Sequence, residues 1–146
     1  MKQEDKDLLF KELCTRLPYN LVVQITDCGI WNLRGVDHDN SAELRDRVIV
    51  WHGKNYPSSR NSFPISNCKP YLFPMSSMTE EQKEEFRNKF DIDIDISKIF
   101  DGIDFCGSLS FRTISEIINW LNENHFDYRD LILKGLAIDA TGLNIY

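Results

Sequence analysis

Between residues 4 and 17, apolar side chains return at helical intervals. Leu9 and Leu13 stand four apart, and Phe10, Cys14 and Leu17 continue a second row, so the spacing predicts an amphipathic helix that Pro18 stops. The period then shortens to two. Residues 20–26 are rich in β-branched side chains and read as a strand, Asp27-Cys28-Gly29 as a turn, and 30–36 as the returning strand. In that second strand Ile30, Asn32 and Arg34 share one face and Trp31, Leu33 and Gly35 the other. A polar loop over 37–46 leads to a third strand, 47–52, where Val48 and Val50 oppose Ile49 and Trp51. A loop rich in Ser, Asn and Pro leads to a short fourth strand, 63–68, placed at an edge because Pro64 cannot donate to a ladder.

The second half reads differently. The run Asn67–Thr79 joins the β-rich part to a helical, acidic part. Thr79 opens a helix over 79–90 with Gln82 at capping-box spacing, and Phe86 and Phe90 are its apolar contacts. Residues 91–96 alternate Asp and Ile, which predicts a strand with one acidic face. The pattern over 97–112 fits no single element. A further helix is expected over 114–124, opened by a capping box at Thr113 and Glu116 and carrying Ile114, Ile117, Ile118 and Leu121 on one stripe. The tail, 125–146, holds Leu131-Ile132-Leu133 and Leu136-Ala137-Ile138 and is too apolar to stay off the body.

These elements predict an α+β chain. Four short antiparallel strands suggest a small SH3-like barrel or curled sheet, with a helix before it and a helical half after it. A length of 146 residues predicts a single domain over 1–146, with a β-rich core at 19–74 and the helical, acidic region at 79–146 packed on it. No apolar run is long enough to cross a bilayer, and the charged N-terminus lacks the apolar stretch of a signal peptide, so a soluble cytoplasmic protein without a membrane partner is expected.

Charge narrows the function classes. The net charge is −6, and 80–104 holds nine acids against four bases, so nearly all of the excess sits there. That balance argues against a nonspecific nucleic-acid binder. Four scattered cysteines (Cys14, Cys28, Cys68, Cys106) and three equally dispersed histidines (His38, His52, His125) lack zinc spacing, so the cysteines read as small buried hydrophobes in a reducing compartment. Asp91, Asp93 and Asp95 start like a calcium loop, but Ile96 and Gly102 stand where that loop needs Gly and a bidentate acid. No metal or cofactor is expected. Nucleophile-elbow, catalytic-cysteine and phosphate-loop motifs are absent, which places an enzyme below a binding protein.

The binding candidates are aromatic and cationic. Trp31, Trp51, Tyr71 and Phe73 lie near Arg34, Arg45, Arg47 and Lys69, a composition suited to stacked bases and phosphates, or else to an ordinary core with solvated arginines. Ser76 and Ser77 precede a helix start that could hold an anion, although the glutamates there oppose one. Tyr128 and Arg129, with Lys134-Gly135 downstream, form a second polar cluster or a structural turn in which Arg129 pairs with a carboxylate.

The motifs Leu13-Cys14-x2-Leu17-Pro18-Tyr19, Cys68-Lys69-Pro70-Tyr71-Leu72-x-Pro74-Met75-Ser76-Ser77-Met78-Thr79-Glu80-Glu81, Trp120-Leu121, Phe126-Asp127-Tyr128-Arg129-x-Leu131-Ile132 and Lys134-Gly135-Leu136-Ala137 span most of the chain. In them it resembles a set of short proteins of gut Bacteroidales genomes and their phages. That resemblance implies a phage or prophage context, with host cytoplasm as the place of action, and carries no activity with it. By analogy with small phage accessory factors, the leading expectation is a non-enzymatic counter-defence protein that sequesters a small nucleotide-like signal. A protein–protein inhibitor or adaptor using the acidic 80–104 surface against a host protein is the alternative. A nucleotide-cleaving enzyme comes third. A homo-oligomer would be a simple way to enclose a ligand between copies.

Overall fold

The computed structural model describes residues 1–37, 47–51, 60–92 and 109–146, with the side chains of Arg47, Trp51 and Arg60 left out. The described chain is α+β and is built on a mixed seven-stranded sheet. Helix α1 runs Gln3–Arg16 and tightens into a 3-10 turn at Leu17–Tyr19, where Pro18 sits. Strands β1 (Val22–Ile25), β2 (Gly29–Asp37), β3 (Arg47–Trp51) and β4 (Arg60–Pro64) form an antiparallel meander. Strand β5 (Cys68–Pro74) returns to pair with β1 on its free side. Helices α2 (Glu80–Phe90) and α3 (Phe111–Glu123) follow. Two short strands from the tail, β6 (Phe126–Asp127) and β7 (Ile138–Asp139), lie parallel to β5.

The order β4-β3-β2-β1-β5-β6, with β7 also on β5, is an open one, so the expected barrel gives way to an open sheet. Closure would need β4 to meet the far edge, and β4 pairs with β3 alone among the described residues. Its edge position is the one Pro64 predicts. The fourth strand itself lies earlier than expected. Pairing ends at Pro64, Ile65–Asn67 forms a 3-10 turn, and Cys68 begins the next strand. Strand β5 was hidden by its two prolines. Pro70 pairs with Val23, at a point where β5 has a described neighbour on one side only, so its missing N–H costs no ladder bond there.

One sheet face is covered by α1. Leu9 and Leu13 pack with Val23, Ile25, Leu33, Val48, Val50, Cys68 and Leu72, and the tail adds Leu131, Leu136 and Ala137. Burial of Cys68 pushes its thiol up to about 12, so it behaves as a small hydrophobe. A second cluster joins α2 to α3 through Phe86, Ile117, Trp120, Leu121 and Phe126. The Trp120 indole stacks beside Phe126 at 5.9 Å and donates to Glu85 Oε1 at 3.0 Å. A third, smaller cluster of Val22, Tyr71 and Ala140 lies on the other sheet face, with Phe73, Ile138 and Ile145 against it.

The helix caps agree with the sequence at one end and shift at the other. Thr79 and Gln82 form the reciprocal capping box as expected. Helix α3 instead starts three residues early. Ser110 is its N-cap and accepts from the Thr113 N–H, so Thr113 lies inside the first turn. Asp91 is no strand residue; it caps α2 in the left-handed region. The rest of the expected 91–96 strand, apart from the buried Ile92, lies outside the described residues, as do Asp93, Asp95, Arg45, His38, His52 and Cys106.

Candidate functional site

A half-open cleft of about 510 Å³ lies at the corner where the turn after α1, the uncovered face of β1 and β2, and the tail meet. Tyr19 and Asn20 supply one wall, Val22, Asn32 and Arg34 the floor, and His125, Ile145 and Tyr146 the other wall. No acidic side chain is among these lining residues.

Local backbone chemistry places them. Asn20 ends the 3-10 turn at a φ of 54°, a left-handed conformation that Asn tolerates better than most residues. Its side-chain oxygen accepts from Arg34 Nη1 at 3.3 Å. Arg34 itself stands at a β-bulge. The register with β3 runs Asn32–Trp51, Leu33–Val50 and then Gly35–Ile49, leaving Arg34 as the extra residue. The bulge corrects the expected alternation, because Val36 rather than Gly35 now joins Leu33 against the core. Asn32 and Arg34 stay on the cleft side. Gly35 fits under Ile49, whose Cδ1 would lie 3.3 Å from an added Cβ.

His125 follows α3 in the left-handed region, φ 58°, and its carbonyl accepts from the Phe73 N–H at 2.9 Å. Its ring lies 3.8 Å from the Tyr146 ring with 10° between the planes. Burial, with the Arg16 charge nearby, depresses its pKa to about 4, so the imidazole is neutral near pH 7. Tyr146 donates to the Tyr71 carbonyl at 2.6 Å, and burial raises its phenol above the usual range.

Behind this wall lies a buried charged cluster. Arg16, fully buried, points both Nε and Nη2 at Glu12 Oε2, each at 3.3 Å, and donates from Nη2 to the Phe126 carbonyl at 2.8 Å. Arg129 Nε lies 2.7 Å from Glu12 Oε1, in ion contact but off the line of a hydrogen bond. Both guanidinium groups sit over the Tyr128 ring, at 5.2 and 5.6 Å. Asp127 is spent on the backbone, accepting from the Arg129, Leu131 and Ile132 N–H groups, which folds the tail into its turn.

Of the described binding candidates singled out in the sequence, Arg34 alone is among the lining residues of the cleft. Trp31 packs at the core margin, 6.0 Å from Phe63, and its indole donates to the Cys28 carbonyl. The Tyr71 side chain is buried and donates to Gln24 Oε1 at 2.8 Å. Lys69 is exposed on β5, pairing across from Gln24. Ser76 and Ser77 lie in a 3-10 turn (Met75–Ser77), with the Ser77 hydroxyl given to the Pro74 carbonyl, and Thr79 caps α2 in their place. Tyr128 and Arg129 belong to the buried cluster, where Arg129 pairs with Glu12 rather than with Asp127 or Asp130. The side chains of Arg47 and Trp51 lie outside the described set. Sequence reading missed Tyr19, Asn20, Asn32, His125 and Tyr146. Only the Asn after the helix-stopping Pro18 carried a signal, as a turn residue able to adopt positive φ.

Among the described residues no group of three His, Cys, Asp or Glu side chains is placed to hold a metal ion, and no helix is long and apolar enough to cross a membrane. Compared with models of known protein families, with curated proteins and with solved structures, the chain matches none.

Proposed function

We propose that this protein holds a small, planar, nucleotide-like molecule in the cleft and does not transform it. The observation that carries this reading is the make-up of the lining. Among the described lining residues, one guanidinium, two carboxamides and three aromatic rings converge without a carboxylate side chain, which suits an electron-rich ring bearing polar or anionic groups. The volume suits a mononucleotide-sized ligand better than a polymer. Its one described histidine is neutral near pH 7 and stacked on Tyr146, with no Ser or Cys among the lining residues for it to activate. The resemblance to Bacteroidales and phage proteins supplies the setting in which a sequestering protein would act as a counter-defence factor.

The acidic-surface alternative draws less support from α2. Glu85 is engaged by Trp120 and Glu80 by Lys83, and Arg87 and Lys89 offset the remainder. Thermal-shift and calorimetric titration with mononucleotides and cyclic dinucleotides tests the proposal. A ligand at a hundred times its Kd should stabilise the fold by about 2.7 kcal/mol, and Arg34→Ala should weaken that gain. Chromatography after heat release should return the ligand unchanged. Recovery of a cleaved product, or no stabilisation by any nucleotide at millimolar concentration, refutes it.

A further inference from the structure

Among the described residues, the buried polar atoms without a hydrogen-bond partner include Glu12 Oε1, Arg16 Nη1 and His125 Nδ1. Arg16 and His125 are neighbours, since Arg16 Nη2 donates at 2.8 Å to the carbonyl of Phe126, the residue after His125. Such atoms are costly to bury; Arg16 Nη1 lacks an acceptor, and so does His125 Nδ1 in the tautomer that carries its proton there. Glu12 presents Oε2 to Arg16 Nε and Nη2, while its Oε1 lies in ion contact with Arg129 Nε. Asp127 cannot serve, because its oxygens are occupied by backbone N–H groups.

The tail covers His125; Ile145 packs on the Val22, Tyr71 and Ala140 cluster and the Tyr146 ring lies 5.8 Å from Phe73, but few of its backbone groups bond to the body. Thr141, Gly142, Leu143 and Asn144 are exposed, and Gly142 turns at a φ of 75°, where other residues would be strained. Beyond Ala140, the hydrogen bonds of Leu143 and Ile145 stay within the tail, while the Tyr146 hydroxyl reaches the body, at Tyr71 and beside the Val22 N–H. The Tyr146 ring lies flat on His125, in the place a planar ligand would choose.

Resting on the reading of the cleft above, we infer that residues 141–146 are an internal occupant of the site, displaced by a planar ring that carries an anionic oxygen. The ring takes the place of Tyr146 on His125, so Tyr19 and His125 are the aromatic walls of the loaded cleft and Tyr146 is a wall only while the tail is seated. The oxygen supplies the acceptor that Arg16 Nη1 and His125 Nδ1 lack. The seated tail lowers the apparent affinity by the fraction of molecules it keeps closed.

The test compares AMP, adenosine and inorganic phosphate on the full chain, in the wild type, Tyr146→Phe and Tyr146→Ala, with circular dichroism to check folding. Titration is followed by calorimetry and by the imidazole nitrogen resonances of His125. If the tail is seated in about nine molecules in ten, Tyr146→Ala should bind AMP roughly tenfold more tightly than the wild type, with Tyr146→Phe between them. AMP should exceed adenosine in every form, and the His125 resonances should move with AMP and with phosphate. Weaker AMP binding in Tyr146→Ala would make Tyr146 a fixed wall of the site and end this inference while leaving the nucleotide reading intact. Equal affinity for AMP and adenosine, or a slowly exchanging water at His125 that no anion displaces, ends it as well. If neither AMP nor adenosine binds any form but phosphate still moves His125 in Tyr146→Ala, the nucleotide reading falls and the anion pocket stands.

Discussion

Replacing Glu12 with Ala should be among the most damaging single changes on α1. Glu12 is 1% exposed and compensates Arg16, which is 0% exposed. Removing it leaves a guanidinium in the interior with the Phe126 carbonyl as its remaining acceptor. Breaking a buried pair in this way costs about 3–5 kcal/mol. The Arg129 contact adds little, because that side chain is 44% exposed and can turn to water. With a urea m-value of about 2 kcal/mol/M, the unfolding midpoint at pH 7 should fall by about 1.5–2.5 M. Replacing both members with Met removes the stranded charge, and the remaining penalty is the Phe126 carbonyl without its donor, about 1 kcal/mol. The double variant Glu12→Met/Arg16→Met should therefore be more stable than Glu12→Ala alone. Urea unfolding of the single and double variants, read as a double-mutant cycle, measures this. A shift below about 1 kcal/mol for Glu12→Ala, or a double variant whose loss equals the sum of the singles, would refute the assignment of a buried, coupled pair.

Two further outcomes follow from the same geometry. Ser110→Ala should cost about 1 kcal/mol through loss of the α3 cap, whereas Thr113→Ala should cost much less, measured by thermal or urea unfolding; the reverse order would move the helix start back to Thr113. His125 has a folded pKa of about 4 against an ordinary 6.5, so the unfolded chain binds the extra proton between those values. Stability should therefore fall as pH drops from 6.5 toward 4, and His125→Phe should flatten the part of that slope above pH 5, where carboxylates contribute less; an unchanged slope would show that His125 is not the group responsible.

Local chemistry was legible in the chain wherever it acts over a few residues. Pro18 ending α1, Thr79 and Gln82 capping α2, and the hairpin of β1 and β2 around Asp27-Cys28-Gly29 depend on neighbours in sequence, and the pattern predicts each of them. The apolar tail was expected to pack back, and it does so through Leu131, Leu136 and Ala137. Patterns that looked local but were settled elsewhere misled. Thr113 and Glu116 spell a capping box, yet the helix takes Ser110 because its first turn can extend to Phe111. Pro70 and Pro74 argue against a strand, yet β5 has the most neighbours of any described strand because its prolines avoid the ladder positions that need a donor.

Composition, period and turn residues by themselves determined an α+β chain, its first helix, the β-rich first half and the placing of Arg34 on the face opposite Leu33. Only the tertiary structure decided that the sheet stays open, that a bulge puts Arg34 at a cleft, and that Glu12 and Arg16 are interior rather than wet. It alone brought His125 and Tyr146 against residues more than a hundred positions away in β1 and in the turn after α1. The reason is physical. Helical and strand periods record which face of one element is apolar, whereas a cleft is made where several elements meet, and its polar residues leave no periodic trace.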